Sequence, residues 1–299
     1  MQSPAIIGVG CYGRNGHQVD RQLAGHPRGR LVALTDSLDE LLRHPEVELV
    51  SLCSPRRRDQ ARDAIRCLEA GKHVYAEKPC AFTEADLDAI LATAARTGRQ
   101  FHEMAGTAFE QPYFAMRELV ATGRLGPVIQ VFAQKSYPYF DGRPQDEDID
   151  GGLLRQVGIH AVRMIEHGAG VRVTEVQALE TELGNRQRTG LRMAANLQCR
   201  LANGGLASII ANYLNQPGFG SWGNETLRIF GEKGFVEATD GGTRTRLVLG
   251  EKNCGPLDVS APVEDYFTRY LKSLRGLDTM PLPLEDELHP TRIVNRAKA

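Results

Sequence analysis

The sequence is poor in the features that mark specialised protein classes. It has a single tryptophan, and aromatic residues make up only 6% of its 299 residues. No apolar run approaches the roughly 18 residues that a membrane-crossing helix needs, so no membrane association is expected. Lysine plus arginine (36) and aspartate plus glutamate (37) nearly cancel, for a formal charge of −1. Without a basic excess to neutralise phosphates, nucleic acid is not an expected partner. The six cysteines (Cys11, Cys53, Cys67, Cys80, Cys199 and Cys254) form no CxxC pair, and no His/Cys pair has zinc spacing. No metal site is expected, and unpaired thiols suit a cytoplasmic protein. The opening MQSPAIIGVG has no basic n-region, so a secretory signal is not expected. What the sequence does have is glycine, at 31 residues, or about 10% against a usual ~7%. That excess calls for tight turns and close backbone approaches.

The first hundred residues alternate between two periods. Ala5–Gly10, Leu31–Thr35, Leu49–Cys53, Val74–Ala76 and Phe101–Met104 are short apolar bursts. Such bursts suit strands covered on both faces. Between them, Asp59–Ala70 places Ala61, Ala64, Ile65 and Leu68 at helical spacing and stops at Gly71. Thr83–Thr97 opens on a capping threonine and stops at Gly98. Alternating β and α predicts an α/β fold, an N-terminal Rossmann-type doubly wound parallel sheet. After about residue 105 the pattern changes. Helices are predicted over Pro112–Thr122, Leu153–His167, Glu264–Leu274 and Pro290–Ala299. Strands are predicted over Val128–Tyr137, Val171–Leu183, Met193–Leu201, Leu206–Leu214, Glu225–Phe230 and Arg244–Leu249, joined by Gly/Asn turns. This reads as a C-terminal α+β domain with a large, open, mainly antiparallel sheet. The boundary falls near residue 107, giving domains 1–107 and 108–299.

Gly8-Val9-Gly10-Cys11-Tyr12-Gly13 matches GxGxxG after a predicted strand, and Asp36 follows 23 residues past Gly13 at the end of the next strand. In the dinucleotide fingerprint the glycines make a turn that lets backbone N–H groups approach a pyrophosphate. A helix N-terminus then faces the phosphates, and an acid about 20 residues on accepts from the ribose hydroxyls. Asp36 would also repel a 2′-phosphate, which favours NAD(H) over NADP(H), although Arg14 lies close by in sequence.

The segment Leu68–Ala81 reads LEAGKHVYAEKPCA. Together with GVGCYG, SLDELLRHPEVELVSLCSP, ELVATGRLGPV, GGLLRQVGIH and LRIFGEKGFVE, in that order, it resembles the Gfo/Idh/MocA family of NAD(P)-dependent oxidoreductases, which includes inositol and glucose dehydrogenases. The resemblance runs along nearly the whole chain. It implies a Rossmann domain that binds the cofactor, then a substrate domain whose open sheet often forms a homo-oligomer interface. By it, Lys78 lies beside the nicotinamide and the reacting hydroxyl. The residue reading agrees, because Lys78 follows an apolar strand at the carboxyl edge of the sheet, where an ammonium can stabilise a developing alkoxide. Glu77 would position the lysine or the cofactor ribose, Pro79 would fix the turn with a cis bond possible at Lys78–Pro79, and Ser54 and Pro55 would pass the nicotinamide. The chain is also shorter than the family plan, because Ser37–Leu42 follows Asp36 directly where members usually insert another helix.

Gly151–His160 (GGLLRQVGIH) resembles the family string GG-x-L-x-D-x-G-x-H. His160 matches the residue that commonly serves as acid/base, but Gln156 stands where the family has aspartate. At i and i+4 the two share a helix face. Gln156 cannot titrate and would orient substrate through its amide. A further family acid is Arg163 here, and the P-x-x-x-H loop after the third strand reads Pro55-Arg56-Arg57-Arg58-Asp59. Arg155 and Arg163 are compatible with an anionic substrate or with a solvated helix face, and the arginine run with cofactor phosphates or a solvated helix start. Strand alternation puts Lys135, Tyr137 and Tyr139 on one side, where Tyr137 could meet substrate. Gln145–Asp150 is a lid or a solvated acidic turn, and Trp222 closes over a sugar or lies at a subunit contact.

The expected activity is hydride transfer between NAD(H) and a secondary alcohol or ketone of a sugar, cyclitol or related small polar metabolite. Two alternatives stay open: a tightly bound NAD that cycles in a net non-redox reaction, and a non-catalytic, cofactor-sensing protein on the same scaffold.

Overall fold

The computed structural model describes residues 6–187 and 189–298, so Ala5 and Ala299, the ends of two expected elements, lie outside the described residues. The chain divides into two compact units. The first holds the residues up to Ala105, with Asp148–Gly151 and Glu264–Arg292; the second holds Gly106–Glu147, Gly152–Val263 and the residues from Ile293 on. A cut near residue 107 separates the two sheets. The segment Glu264–Arg292, which that cut assigns to the second domain, packs instead with the first.

The first unit contains β1 (Ile7–Tyr12), β2 (Gly29–Thr35), α1 (Leu38–Arg43), β3 (Leu49–Leu52), α2 (Gln60–Glu69), β4 (His73–Ala76), α3 (Glu84–Thr97) and β5 (Phe101–Glu103). The strands form a parallel sheet in the order β2-β1-β3-β4-β5. The chain leaves β1 toward one side for β2 and toward the other for β3, which makes their carboxyl ends the topological switch point. Helix α2 buries Ala61, Ala64, Cys67 and Leu68, and α3 buries Leu87, Ile90 and Ala94, on the apolar stripes read from sequence. The Thr83 hydroxyl oxygen accepts from Asp86 N at 3.0 Å, and Gly98 closes α3 at φ 64°. Helix α1 starts three residues after β2 ends, with no further helix between them.

One expected helix is missing. Between β1 and β2 the described chain makes only a turn, with Leu23 N donating to Val19 O at 3.0 Å. Residues 13–28 contain Gly13, Gly16, Gly25 and Pro27, and each interior glycine costs a helix about 1 kcal/mol. Gly16 sits at φ 121°, outside the helical region. The Gln18 amide donates to the carbonyls of Tyr12, Gly13 and Ser51 (2.8, 3.0 and 3.2 Å), tying this stretch to the strand ends.

The second unit begins with α4 (Tyr113–Ala121) and β6 (Val128–Pro138); α5 (Glu147–Asp150) and α6 (Ile159–Arg163) follow. Helix α6 is flanked by π-helical turns, Leu154–Gly158 and Met164–Gly168, so the single helix expected over Leu153–His167 is wound unevenly. Then come β7 (Val173–Thr181), β8 (Ala194–Leu201), β9 (Leu206–Asn215), β10 (Asn224–Gly231), β11 (Gly234–Thr239), β12 (Arg244–Leu249) and β13 (Lys252–Gly255). They form one sheet in the order β13-β12-β11-β10-β6-β9-β8-β7, in which β6 and β9 run parallel and the other neighbours antiparallel. β8 shows why one face is core. Ala195, Leu197, Cys199 and Leu201 are buried while Asn196, Gln198 and Arg200 between them are exposed. Leu153, Val157, Val162 and Ile165 belong to the same core.

The chain then makes α7 (Tyr266–Ser273), whose Tyr270 hydroxyl donates to Val74 O at 3.1 Å and Gln100 O at 2.9 Å beside the first sheet. Helix α8 (Leu284–Lys298) starts six residues before the expected Pro290, which sits inside it. Its Glu287 is fully buried and accepts from His102, Glu103 N and Tyr266.

Candidate functional site

The turn after β4 is gripped on all sides. Lys78 is 5% exposed, and its peptide bond to Pro79 is cis. The Gln60 side chain, wholly buried on α2, donates to the carbonyls of both Glu77 and Pro79, the latter at 3.1 Å. Its oxygen accepts from Ser54 N (3.2 Å) and Arg57 Nη1 (2.9 Å). From β5, the buried Glu103 accepts Cys80 N at 2.7 Å, and the Thr291 hydroxyl holds Glu103 at 3.0 Å. Glu77 Oε1 accepts Lys78 N at 2.8 Å. Lys78 therefore leaves from a backbone in which the carbonyls of Glu77 and Pro79 and the amides of Lys78 and Cys80 are engaged by buried side chains.

Glu77 also ties this turn to the glycine loop. Its Oε2 accepts from His17 N (2.6 Å) and His17 Nδ1 (2.8 Å). Burial opposes its ionisation. The hydrogen bond from His17 and the charges of Lys78, Arg57 and His17 outweigh burial and hold the carboxyl far below the usual carboxylate range. The loop itself differs from the sequence reading. Gly8 and Gly10 lie inside β1, paired with β2 and β3. Their missing side chains make room for the chain, since a Cβ on Gly8 would come within 1.9 Å of Glu46 O and one on Gly10 within 2.9 Å of Leu41. Cys11 is fully buried, its thiol raised to about 12 by burial first and by the charge of Asp20 next. Tyr12 is half-buried at the strand end, its phenol also raised, by burial and the charge of Asp63. The turn begins at Gly13, φ 68°, whose N–H donates to Thr35 O at 3.2 Å.

The other positions of this half fall as follows. Asp36 is exposed directly after β2. Ser54 is fully buried, with its hydroxyl on Asp63 at 2.9 Å, and Pro55 is exposed. Of the arginine run, Arg56 and Arg58 pair with Asp148 at 2.9 and 3.0 Å, which also gives the QDEDID segment a partner. Arg57 is 2% exposed, bonds Asn15 O under the loop, and has a buried Nε with no hydrogen-bond partner.

In the second unit His160, partly exposed, is held at both nitrogens: Nδ1 lies 3.0 Å from the Thr107 hydroxyl and Nε2 lies 3.2 Å from the Tyr137 hydroxyl. The Tyr137 ring packs on Trp222 at 6.1 Å and lies under Lys135 at 5.0 Å, so 135 and 137 do share a side; Lys135 itself pairs with Glu225. Tyr139, just past the end of β6, has its ring under Arg186 at 5.5 Å. Gln156 lies in the π-turn one helical step before His160, and such turns often mark functional positions. Its Oε1 accepts from Tyr213 OH and Arg143 Nη1, both at 3.1 Å. Arg143, which the sequence did not single out, is 4% exposed. Its Cζ stacks 3.8 Å from the Tyr213 ring centre and 4.7 Å from that of Phe140, and Nη2 donates to Pro138 O at 3.0 Å. Each such stack offsets about 1–2 kcal/mol when desolvated, against a burial cost of several kcal/mol per ion. Arg155, by contrast, bonds Asn295 at 2.8 Å and Arg163 is fully buried, so these two are built into the fold.

The residues of the first unit fit a dinucleotide on one observation. Arg57 places a buried guanidinium with a partnerless Nε against the Gly13–His17 loop, supplying the positive charge that a helix N-terminus would otherwise give. The loop with Arg57 would hold the phosphates and Asp36 the ribose. What sequence reasoning missed here are Gln60 and His17 in the first unit, and Thr107 and Arg143 in the second, while Arg57 belongs to the arginine run for which cofactor phosphates are one of two readings. Of the missed residues only Gln60 carried a signal, as a polar residue on the buried side of a helix start.

Two family models match the chain. One, described as an oxidoreductase family with an NAD-binding Rossmann fold, matches residues 20–104; the other, the GFO/IDH/MocA C-terminal domain, matches residues 113–237. The first match begins after the glycine loop, where the fold departs from expectation. An uncharacterized oxidoreductase of Rhizobium meliloti is 30% identical over 171 residues, 56% of this chain and 51% of that protein, so the chain spans about half of that relative's length. Myo-inositol 2-dehydrogenase of Thermotoga maritima is 25% identical over 246 residues, 79% of this chain and 70% of that one. The structure of an inositol dehydrogenase homolog from Azotobacter vinelandii, complexed with NAD+, superposes with a TM-score of 0.81 at 18% identity, covering 99% of this chain and 96% of that one, a likeness of fold. Among the described residues, no helix is long and apolar enough to cross a membrane, and no group of three or more His, Cys, Asp and Glu is placed to hold a metal ion.

Proposed function

The chain belongs to the Gfo/Idh/MocA family of oxidoreductases, and from that we propose that it is an NAD(H)-dependent dehydrogenase or reductase. Its substrate is a secondary alcohol or ketone of a sugar, cyclitol or related polar metabolite. The observation that carries this reading is Lys78, held by Gln60, Glu77 and Glu103 on a buried turn at the carboxyl edge of the parallel sheet. These buried polar groups fix the backbone on both sides of one cationic residue, which is what holding its ammonium in place requires. When bound, the nicotinamide accepts or returns the hydride. Lys78 binds the reacting oxygen and favours its alkoxide character. In the oxidising direction the hydroxyl loses a proton as its carbon loses hydride, and His160 takes that proton, directly or through the Tyr137 hydroxyl at its Nε2. Gln156 orients substrate through its amide. Asp36 favours NAD(H) over NADP(H). Cytoplasmic residence is supported by the free thiols. A homo-oligomer is supported by the outer face of the second sheet, where Leu179, Leu206 and Leu214 are exposed.

Turnover on a panel of sugars and cyclitols with NAD+ and NADH tests the reading. Lys78→Ala is expected to lower kcat by about 10²–10⁴ while leaving dinucleotide affinity nearly unchanged. Unchanged turnover in that variant would remove Lys78 from the mechanism. A second reading, a non-catalytic protein that does without the dinucleotide and so differs from the cofactor-sensing alternative, is favoured by one observation: the N–H groups of Gly13 and His17, which a phosphate would use, are already taken by Thr35 and Glu77. It predicts no saturable NADH binding to the wild-type chain, which a fluorescence titration decides.

A further inference from the structure

The second unit buries a positive charge that no carboxylate neutralises. Arg143 is 4% exposed, and its partners are the Gln156 amide oxygen, the Pro138 carbonyl and the faces of Tyr213 and Phe140, all of them neutral. No carboxylate among the described residues pairs with it, and its Nε is buried without a hydrogen-bond partner. A buried guanidinium is ordinarily paired, because its charge is costly to desolvate alone. The position that could neutralise it is 156, where the GG-x-L-x-D-x-G-x-H pattern has a carboxylate and this chain has an amide, its oxygen 3.1 Å from Nη1. The exchange of Asp for Gln thus does more than remove a titrating group. It leaves a fixed cation against Gln156, four residues before His160.

We propose that Arg143 is a substrate-binding residue that pairs with a carboxylate, and that the substrate is an acidic polyol such as a uronic or aldonic acid rather than a neutral sugar. A guanidinium held rigid by two aromatic faces matches a carboxylate geometrically. The charge count favours a monoanion over a phosphate ester. Lys135, the next cation along β6, is committed to Glu225, so the site offers one unpaired charge. The Gln156 oxygen is committed to Arg143 and Tyr213, which turns the donor end of its amide toward other acceptors. The substrate class rests on the dehydrogenase reading, but binding of the acid does not.

The test is calorimetric titration of the full chain, without dinucleotide, with D-glucuronate, D-gluconate, D-glucose and glucose 6-phosphate. The fluorescence of Trp222, the single tryptophan, 5.9 Å from Phe140, provides a second readout. The two acids are expected to bind at least about tenfold more tightly than glucose. Arg143→Gln should erase that difference, and Arg143→Lys should restore part of it. Gln156→Asp leaves Arg143 in the chain and supplies a carboxylate beside it, so it should weaken the acids about tenfold relative to glucose, which guards against a misfolded Arg143 variant. Equal affinity for glucuronate and glucose, or acid binding that survives Arg143→Gln, would overturn the proposal. Tighter binding of glucose 6-phosphate than of glucuronate would overturn the carboxylate assignment. Acid binding that depends on Arg143 but is accompanied by no dinucleotide-coupled turnover would uphold this inference and sink the dehydrogenase reading instead.

Discussion

Gln60 is the residue on which the first half of the site hangs, and replacing it by methionine isolates its polar role. Gln60→Met keeps the length and volume of a fully buried side chain, so no cavity term enters. It removes four hydrogen bonds at once: from Ser54 N, from Arg57, and to the carbonyls of Glu77 and Pro79. Each neutral group left buried without its partner costs about 1 kcal/mol and the charged one about 2, for a total near 5 kcal/mol. Domain stabilities are about 5–15 kcal/mol, so the variant should be severely weakened. With a urea m-value of roughly 2.5 kcal/mol/M the midpoint should fall by about 2 M without a change in m. The two carbonyls that Gln60 grips lie on either side of Lys78. At temperatures where the variant is still folded, kcat should therefore drop about tenfold or more, because small misplacements of a catalytic group are costly. A midpoint shift below about 0.3 M would refute the stability argument. A large shift with unaltered turnover would show that Gln60 supports the fold and does not position Lys78.

Two further predictions are independent of that one. Burial chiefly, with the charges of Arg99 and Arg275 adding and that of Glu48 opposing, lowers His73 from the usual 6.5 to about 4. The unfolded chain then takes up a proton below pH 6.5 that the folded chain refuses until about 4, so stability falls as pH drops through that window. After allowance for solvent screening of a partly exposed ring the loss is about 1–2 kcal/mol. His73→Gln retains an acceptor for Gln100 N but removes the titration, so its stability should fall less than that of the wild type between pH 7 and pH 4, measured by urea unfolding. An equal pH dependence in both chains would contradict it. Asp36, exposed at the end of β2, should make NAD(H) the preferred cofactor by kcat/KM, and Asp36→Ser should move the ratio toward NADP(H) by about tenfold. A wild-type preference for NADPH would count against that assignment.

Much of the fold was legible because local chemistry decides it. The apolar bursts of the first hundred residues became parallel strands, Thr83 and Gly98 bound α3 as read, and the alternation in β8 reports its buried face directly. What was not legible depends on partners distant in sequence. The glycine motif looks like a phosphate loop, yet Gly8 and Gly10 answer to Glu46 and Leu41, thirty or more residues away. The helix after it fails for want of residues that favour one. Helix α8 begins early because Glu287 is captured by His102 and Glu103, 185 and 184 residues back. Strand β13, Lys252-Asn253-Cys254-Gly255, is too short and polar to announce itself. Arg143 was invisible for the same reason as Gln60. An arginine in a polar loop reads as solvated until Tyr213, seventy residues on, is found beneath it.

The two glutamines nevertheless follow one rule. Gln60 Oε1 accepts from Arg57 at 2.9 Å, Gln156 Oε1 accepts from Arg143 at 3.1 Å, and both guanidiniums are buried with a partnerless Nε. A carboxylate in either place would bind its arginine more strongly and cancel its charge. An amide fixes the arginine and leaves the charge standing. The two cases then diverge. The charge of Arg57 is felt by Glu77, whose ionisation it favours, so that arginine is partly balanced from within. Arg143 has no such neighbour among the described residues. The asymmetry gives salt and pH different leverage on the two arginines. Anions held by Arg57 should bind more tightly once the balancing charge is removed, as in Glu77→Gln, whereas anions held by Arg143 should be indifferent to that substitution and respond only to changes at Arg143 or Gln156.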